Sequence, residues 1–135
     1  MTNYLLPNMK NELRHISPLG LAHVGDAVFE LMVRTRLCDL GASTAKKLHG
    51  EAVTFVSAKA QAAAAERIRP VLCEEEQAVY KRGRNAHVNT TPRGSTYEEY
   101  HAATGLEALF GYLYLSGQTD RLNELFEIAV NTMEG

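Results

Sequence analysis

Two acidic residues in this sequence stand in apolar surroundings that do not ordinarily hold an acid. Asp26 follows Gly25 within LAHVGDAVFEL, and Glu107 lies two residues after Gly105 within GLEALFG. Aspartate is a poor helix former, and a buried acid must be paired, hydrogen-bonded or bound to metal. Glycine inside a helix costs about 1 kcal/mol relative to alanine, so a close-packing or functional reason is favoured. Two such acids on packed helices would suit a divalent metal, whereas an isolated acid would simply be solvated.

A second candidate is the basic segment from residue 81 to residue 93, KRGRNAHVNTTPR, which contains no acid although the whole chain has a net charge of -2. Its glycine, asparagine, threonine and proline content predicts a loop. Guanidinium and amide groups supply the donors that backbone phosphates accept. We therefore expect this loop to bind backbone phosphates, the alternative being a solvated surface loop. The candidate phosphate-binding residues are Lys81, Arg82, Arg84, Asn85 and Arg93, which become candidate RNA-binding residues under the resemblance described below.

The elements that must position these residues are helical almost throughout. Ser17 and Pro18 are typical of an N-cap followed by the first helical residue, and Gly41 is typical of a stop signal. No alternating segment predicts a strand, so we expect an all-α fold. The predicted helices run from Pro18 to Gly41, from a cap at Ser43 or Thr44 through the alanine-rich Ser57–Ile68 to Pro70, from Val71 to Arg82, from Tyr97 to Ser116 with Gly117 after it, and from Asp120 to Met133.

The neighbours of Asp26 on its helix leave alternatives open. Glu30 lies one turn after Asp26 on the same face, so it could assist a metal or pair with Arg34. We favour the ion pair with Arg34. His23 could also reach this face, but a single helical histidine is seldom a ligand and we assign it no role.

Length and composition limit the class of protein. With 135 residues, 45% hydrophobic and 22% charged, the chain predicts one globular domain. The two cysteines, Cys38 and Cys73, match no metal or redox spacing, and no apolar run approaches the roughly 18 residues of a membrane span. Residues 1–10 lack the pattern of a signal peptide. We expect a cytoplasmic protein with no membrane association.

Several motifs together resemble the catalytic domain of ribonuclease III. The first is Gly25-Asp26-Ala27-Val28, which is paired with the later stretch from Leu106 to Gly111. RGRNA at 82–86, TTP at 90–92 and ATGLEAL at 103–109 are similar to one branch, Mini-ribonuclease III, the short bacterial form. VSAKAQ at 56–61 and YLYL at 112–115 strengthen the match. The resemblance covers nearly the whole chain, from about Ile16 to Val130.

This resemblance implies an all-α, homodimeric, ribonuclease III-like helical bundle that cleaves double-stranded RNA with Mg²⁺, for which Mn²⁺ could substitute. By motif position Asp26 and Glu107 would be both the catalytic and the metal-binding carboxylates. The longer enzymes carry two further acids, at the positions of Ala22 and Thr104 here. The Mini branch is associated with maturing precursor large-subunit ribosomal RNA. We expect residues 1–135 to be a single catalytic domain without a separate double-stranded RNA-binding domain.

Two other functions are compatible with parts of the pattern. One is a catalytically silent member of the same fold that binds RNA or the ribosome, although retention of Asp26 and Glu107 argues against it. The other is a helical adaptor with no RNA role, which leaves both acidic motifs and the basic segment unexplained.

Overall fold

A computed structural model describes residues 2–86 and 96–131 of the chain. The described part contains helices and no strand, as the sequence predicts. The α-helices are α1 (Pro18–Asp39), α2 (Ala45–Val56), α3 (Ala58–Ile68), α4 (Glu74–Arg84), α5 (Tyr97–Leu115) and α6 (Thr119–Val130), with short 3₁₀ turns at Asn11–His15 and Arg69–Val71.

The ends of α1 follow the predicted signals. The Ser17 hydroxyl accepts a hydrogen bond from the Gly20 amide at 3.0 Å, and Pro18 occupies the first helical position, where its missing N–H costs nothing. The helix ends at Asp39, and Gly41 then adopts a left-handed φ of 109°. Both predicted boundaries of α1 are confirmed to within two residues.

Helix α5 forms the centre of the bundle. Eleven of its 19 residues are buried, and it packs against α1, α3 and α4. Leu106, Leu109, Phe110 and Leu113 are fully enclosed, and the Phe110 ring meets that of Phe29 edge to face at 5.4 Å. Any residue of α1, α3 or α4 that faces α5 is therefore held on a rigid core element.

The predicted second helix is two helices, which corrects the sequence-based boundary. Ser57 is extended, with φ -65° and ψ 157°, and it ends α2 while its hydroxyl caps α3 by accepting from the Ala60 amide at 3.2 Å. The alanine-rich sequence that follows has high helix propensity, so the sequence predicts one continuous helix across Ser57. Within residues 2–86 and 96–131, none of the helices combines the length and the apolar character that crossing a membrane requires.

Candidate active site at the crossing of helices 1 and 5

The α1 and α5 backbones touch where two glycines meet. A Cβ atom placed on Gly25 would lie 1.6 Å from the Glu107 carbonyl oxygen and 2.7 Å from the Gly111 amide nitrogen. A Cβ on Gly111 would lie 2.0 Å from the carbonyl oxygen of Leu21. Only glycine permits this approach, so the closest point of the crossing is fixed between Gly25 on α1 and the turn from Glu107 to Gly111 on α5.

The glycine contact brings Asp26 and Glu107 together. Asp26 is exposed and Glu107 is partly buried. The two carboxyl groups lie close enough to act on each other, by charge repulsion when both are ionised and through a shared proton when Glu107 is protonated. Burial, followed by the negative charge of Asp26, raises the pKa of Glu107 to about 8. The long-range pairing that the sequence predicts is thus present in the structure, at an accessible point of the bundle surface.

The surroundings of this pair supply few other ligands. No group of three or more His, Cys, Asp or Glu side chains that could hold a metal occurs within the described residues. Glu30 pairs with Arg34 instead, as the favoured interpretation predicts. Ala22 and Thr104 are both buried, and the Thr104 hydroxyl donates to the Tyr100 carbonyl at 3.0 Å. The acidic part of the site therefore consists of two carboxylates.

Two repelling carboxylates suit a hard divalent cation. Carboxylate oxygens are the ligands that Mg²⁺ prefers, and Mg²⁺ is commonly held by one or two of them together with water and substrate phosphates. A cation between Asp26 and Glu107 would also relieve the repulsion that raises the pKa of Glu107. The two carboxylates therefore fit the Mg²⁺ ion that the sequence resemblance implies.

Gln61 also belongs to this site, and sequence reasoning missed it. The residue lies in the first turn of α3 and is only 2% exposed. Its side chain lies near the Glu107 carboxyl and partly offsets the rise in the pKa of Glu107 that burial and Asp26 produce. A signal for it exists in the sequence: Gln61 is the single long polar residue on a helical face that continues through Ala64, Ala65 and Ile68.

The described basic residues lie on α4, which continues two residues beyond its predicted end at Arg82 and into the predicted loop. Lys81, Arg82 and Arg84 form the last turn of α4, and Asn85 is its C-cap. Cations at the C-terminal end of a helix interact favourably with its dipole, so the helix persists through them. Arg93 and the rest of the predicted loop, residues 87–93, lie outside the described residues.

The end of α4 approaches α5 beside the acidic pair. A Cβ on Gly83 would lie 2.5 Å from the Ala108 Cβ and 3.2 Å from the Thr104 carbonyl oxygen. These positions flank Glu107 on α5, so the cationic turn is held within one helical turn of it along that helix. Lys81, Arg82 and Arg84 are exposed and form no ion pair with any acid in the described part of the chain.

A groove runs from this cationic turn to the start of α1. Its volume is about 850 Å³, and its walls include Ser17 and Pro18 on one side and Lys81, Arg82 and Asn85 on the other. Three of the five predicted RNA-binding residues therefore share one groove. Arg84 faces a neighbouring hollow of about 430 Å³ together with Arg69 and Tyr80.

Comparison with known proteins agrees with this arrangement. Residues 19–118 match the ribonuclease III domain family. Mini-ribonuclease 3 of a Thermoanaerobacter species is 45% identical over 93% of this chain and 88% of its own, and that of Symbiobacterium thermophilum is 45% identical over 88% and 92%. A crystal structure of a Fusobacterium nucleatum protein superposes with a TM-score of 0.80 at 32% identity, over 90% of this chain and 98% of that one. The chain belongs to the ribonuclease III family, in its Mini-ribonuclease 3 branch, whose members are ribonucleases.

Proposed function

We propose that this protein is a Mg²⁺-dependent endoribonuclease that hydrolyses double-stranded RNA and matures precursor large-subunit ribosomal RNA. The observation that carries the proposal is the meeting of Asp26 and Glu107 at the glycine-fixed crossing of α1 and α5. An adaptor protein has no use for two repelling carboxylates at an accessible surface. A nuclease does, because the pair creates a preference for a divalent cation at the point where the phosphodiester must bind.

Asp26 and Glu107 would hold the cation. When bound, Mg²⁺ supplies charge neutralisation at the scissile phosphate and activation of a water molecule for hydrolysis. The two carboxylates contribute orientation, since the α1 and α5 backbones that carry them are in direct contact beside both residues. Asp26 is the more exposed of the two and therefore the more accessible to substrate.

Recognition of the RNA duplex would come from the end of α4. Lys81, Arg82 and Arg84 are exposed and unpaired with acids of the described chain, so no ion pair must be broken before they meet phosphate. A-form RNA is read largely through shape, phosphates and 2′-hydroxyl groups, and charged donors on a rigid helix suit this type of contact. Asn85 and Arg93 are proposed to assist.

The active form is proposed to be a homodimer. Residues 5–7, α1 and α6 enclose an apolar hollow of about 570 Å³, and Leu5, Leu6 and Leu31 on its wall are 79%, 61% and 61% exposed. Large exposed apolar patches mark interaction surfaces. A twofold dimer would present two active sites, one for each strand of a duplex.

The decisive experiment is cleavage of duplex RNA by the purified protein with Mg²⁺, with chelator, and after amide substitution of each carboxylate. Asp26→Asn and Glu107→Gln should each abolish cleavage without changing helical content. Glu127→Gln is the matched control, because it makes the same kind of change at an exposed acid on α6. Turnover retained in either site variant would refute the assignment. A protein that binds duplex RNA and never cleaves it would instead be the catalytically silent member of the fold.

The substrate class can be tested in the same assay. Duplexes that reproduce the base-paired ends of precursor large-subunit ribosomal RNA should be cut at a defined position and faster than unrelated duplexes of equal length. Equal rates and scattered cuts would remove the ribosomal assignment and leave the nuclease assignment intact.

A further inference from the structure

Gln61 is a buried polar residue whose amide nitrogen has no hydrogen-bond partner among the described residues. Among the buried polar and charged side chains of the described residues, Glu76 pairs with Arg121 at 2.8 Å and Thr104 donates to a carbonyl. The Gln61 amide nitrogen, Nε2, has no hydrogen-bond partner of acceptable geometry within residues 2–86 and 96–131. Buried polar groups are nearly always satisfied, so this exception calls for a physical reason.

The position of Gln61 argues against a role in packing. Its helical face continues through Ala64, Ala65 and Ile68, which are 3%, 0% and 0% exposed, and α3 packs against α5. An apolar side chain of the same length would fill this space without leaving a buried donor unmatched, and would be at least as stable. A residue that costs stability at a buried position is typical of functional sites.

The amide is directed at Glu107. It lies close enough to act on that carboxyl as a hydrogen-bond donor, yet its geometry falls short of a completed bond. Asp26 approaches the same carboxyl from α1, so Glu107 lies between one acid and one neutral donor.

We propose that Gln61 is a positioning residue for the carboxylate pair, and that its Nε2–H group completes a hydrogen bond to Glu107 when that carboxylate turns to bind the cation. The proposal rests on the metal-binding role of Glu107 proposed above. One Glu107 oxygen would accept from Gln61 while the other faces the cation. Groups that fix a metal ligand from behind typically change metal affinity or activity by about 10- to 100-fold.

A neutral amide is the side chain that this task requires. A lysine or arginine at the position would neutralise Glu107 and compete with the cation for it. An acid would add a third negative charge to a pair that already repels. Glutamine donates one hydrogen bond, leaves the charge of Glu107 available, and reaches the site from the buried side of α3.

The test is the affinity for Mn²⁺ measured by electron paramagnetic resonance, with Mg²⁺ as competitor and no RNA present. Gln61→Met keeps the length and apolar volume but removes the donor. It should weaken Mn²⁺ binding about tenfold and leave the thermal midpoint of the metal-free protein unchanged or higher. Gln118→Met, at an exposed glutamine before α6, is the matched control and should bind Mn²⁺ like the parent. In the Glu107→Gln background, Gln61→Met should have no further effect.

Each outcome distinguishes this proposal from the one on which it rests. If Glu107→Gln weakens Mn²⁺ binding and Gln61→Met does not, the role of Gln61 is refuted and the metal site stands. If Glu107→Gln has no effect, both fail. A lower thermal midpoint with unchanged affinity would make Gln61 a structural residue only.

A second measurement keeps the proposal testable if Gln61→Met does not fold. In the parent protein the side-chain amide resonance of Gln61 should shift on titration with Mg²⁺, because its hydrogen bond then forms. An Nε2 resonance that does not move at saturating Mg²⁺ would overturn the proposal.

Discussion

Replacing Gly25 by alanine should separate the two helices that build the candidate active site. The new methyl group would lie 1.6 Å from the Glu107 carbonyl oxygen, about 1.4 Å nearer than the 3.0 Å limit of real Cβ contacts. The obstructing atoms belong to the α5 backbone, so no side-chain rotation relieves the overlap, and α1 or α5 must move.

The expected change in the free energy of unfolding of Gly25→Ala is the sum of two opposing effects. Alanine gains about 1 kcal/mol over glycine in a helix interior. Overpacking a well-packed core typically costs about 1–3 kcal/mol and occasionally more, and a backbone clash on this scale belongs at or beyond the upper end. We expect the free energy of unfolding to fall by about 2 kcal/mol or more, which lowers the thermal midpoint by at least roughly 7 °C in a domain of this size. Asp26 would move away from Glu107, so Mn²⁺ affinity should fall as well.

Gly50→Ala is the matched control. Gly50 also lies inside a helix, α2, but a Cβ there would meet nothing within 4 Å. It should raise the free energy of unfolding by about 0.5–1 kcal/mol through helix propensity alone. Urea unfolding followed by circular dichroism measures both variants. A Gly25→Ala protein that is as stable as Gly50→Ala, or that binds Mn²⁺ like the parent, would refute the view that this glycine sets the site geometry.

Three further predictions address charge and assembly. The folded protein holds the Glu107 proton more tightly than the unfolded chain does, with a pKa of about 8 against 4.5. The protonated Glu107 therefore stabilises the fold fully below pH 4.5, and this stabilisation is lost as the pH rises to about 8. The free energy of unfolding falls by at most about 1.4 kcal/mol per pH unit over this range. Chemical unfolding in the presence of chelator should show this pH dependence, and Glu107→Gln should abolish it. Arg82→Ala and Arg84→Ala should each reduce the salt slope of duplex RNA binding by roughly one unit while the single-turnover rate at saturation is retained, and a collapse of that rate with unchanged binding would place these arginines in the chemical step. Leu31→Lys should convert the proposed dimer to a monomer in sedimentation, because it puts a charge on the exposed apolar wall of α1. A parent protein that sediments as a monomer at all concentrations contradicts the proposed dimer.

The sequence predicts the helices well where local chemistry determines their ends. Ser17, Thr44 and Gly117 each act through a hydrogen bond or a left-handed conformation that depends on the residue itself, and all three mark helix boundaries in the structure. The ion pair between Glu30 and Arg34 is likewise a matter of helical spacing. Capping preferences and helical spacing are therefore sufficient to predict helix ends and ion pairs within a single helix.

The basic segment shows where such rules fail. Gly83, between Arg82 and Arg84, predicts a loop by composition, but its role is to let α4 approach Ala108 and Thr104 of α5. Because Gly83 has no side chain, α4 can pack closely against residues of α5 that are more than 20 positions away in the sequence. No local sequence pattern predicts this contact. The prediction of a loop is therefore wrong for residues 83–84, while Lys81 and Arg82 lie at the end of the helix that the sequence predicts as far as Arg82; the identity of the exposed cations is unaffected.

The acidic pair could be predicted because its glycines and its acids are coupled by geometry. A close crossing needs glycine on both helices, and Gly25 and Gly111 supply it. The residue after Gly25 and the residue one turn before Gly111 must then lie at the edge of the contact, and these are Asp26 and Glu107. The contact between the two glycines thus limits the distance between the two acids. The two motifs together therefore predict an acidic pair, which neither motif predicts alone. Gln61 has no such glycine beside it. It approaches Glu107 from a third helix whose register against α5 depends on alanine packing along the whole of α3, so its place in the site emerges only from the assembled bundle.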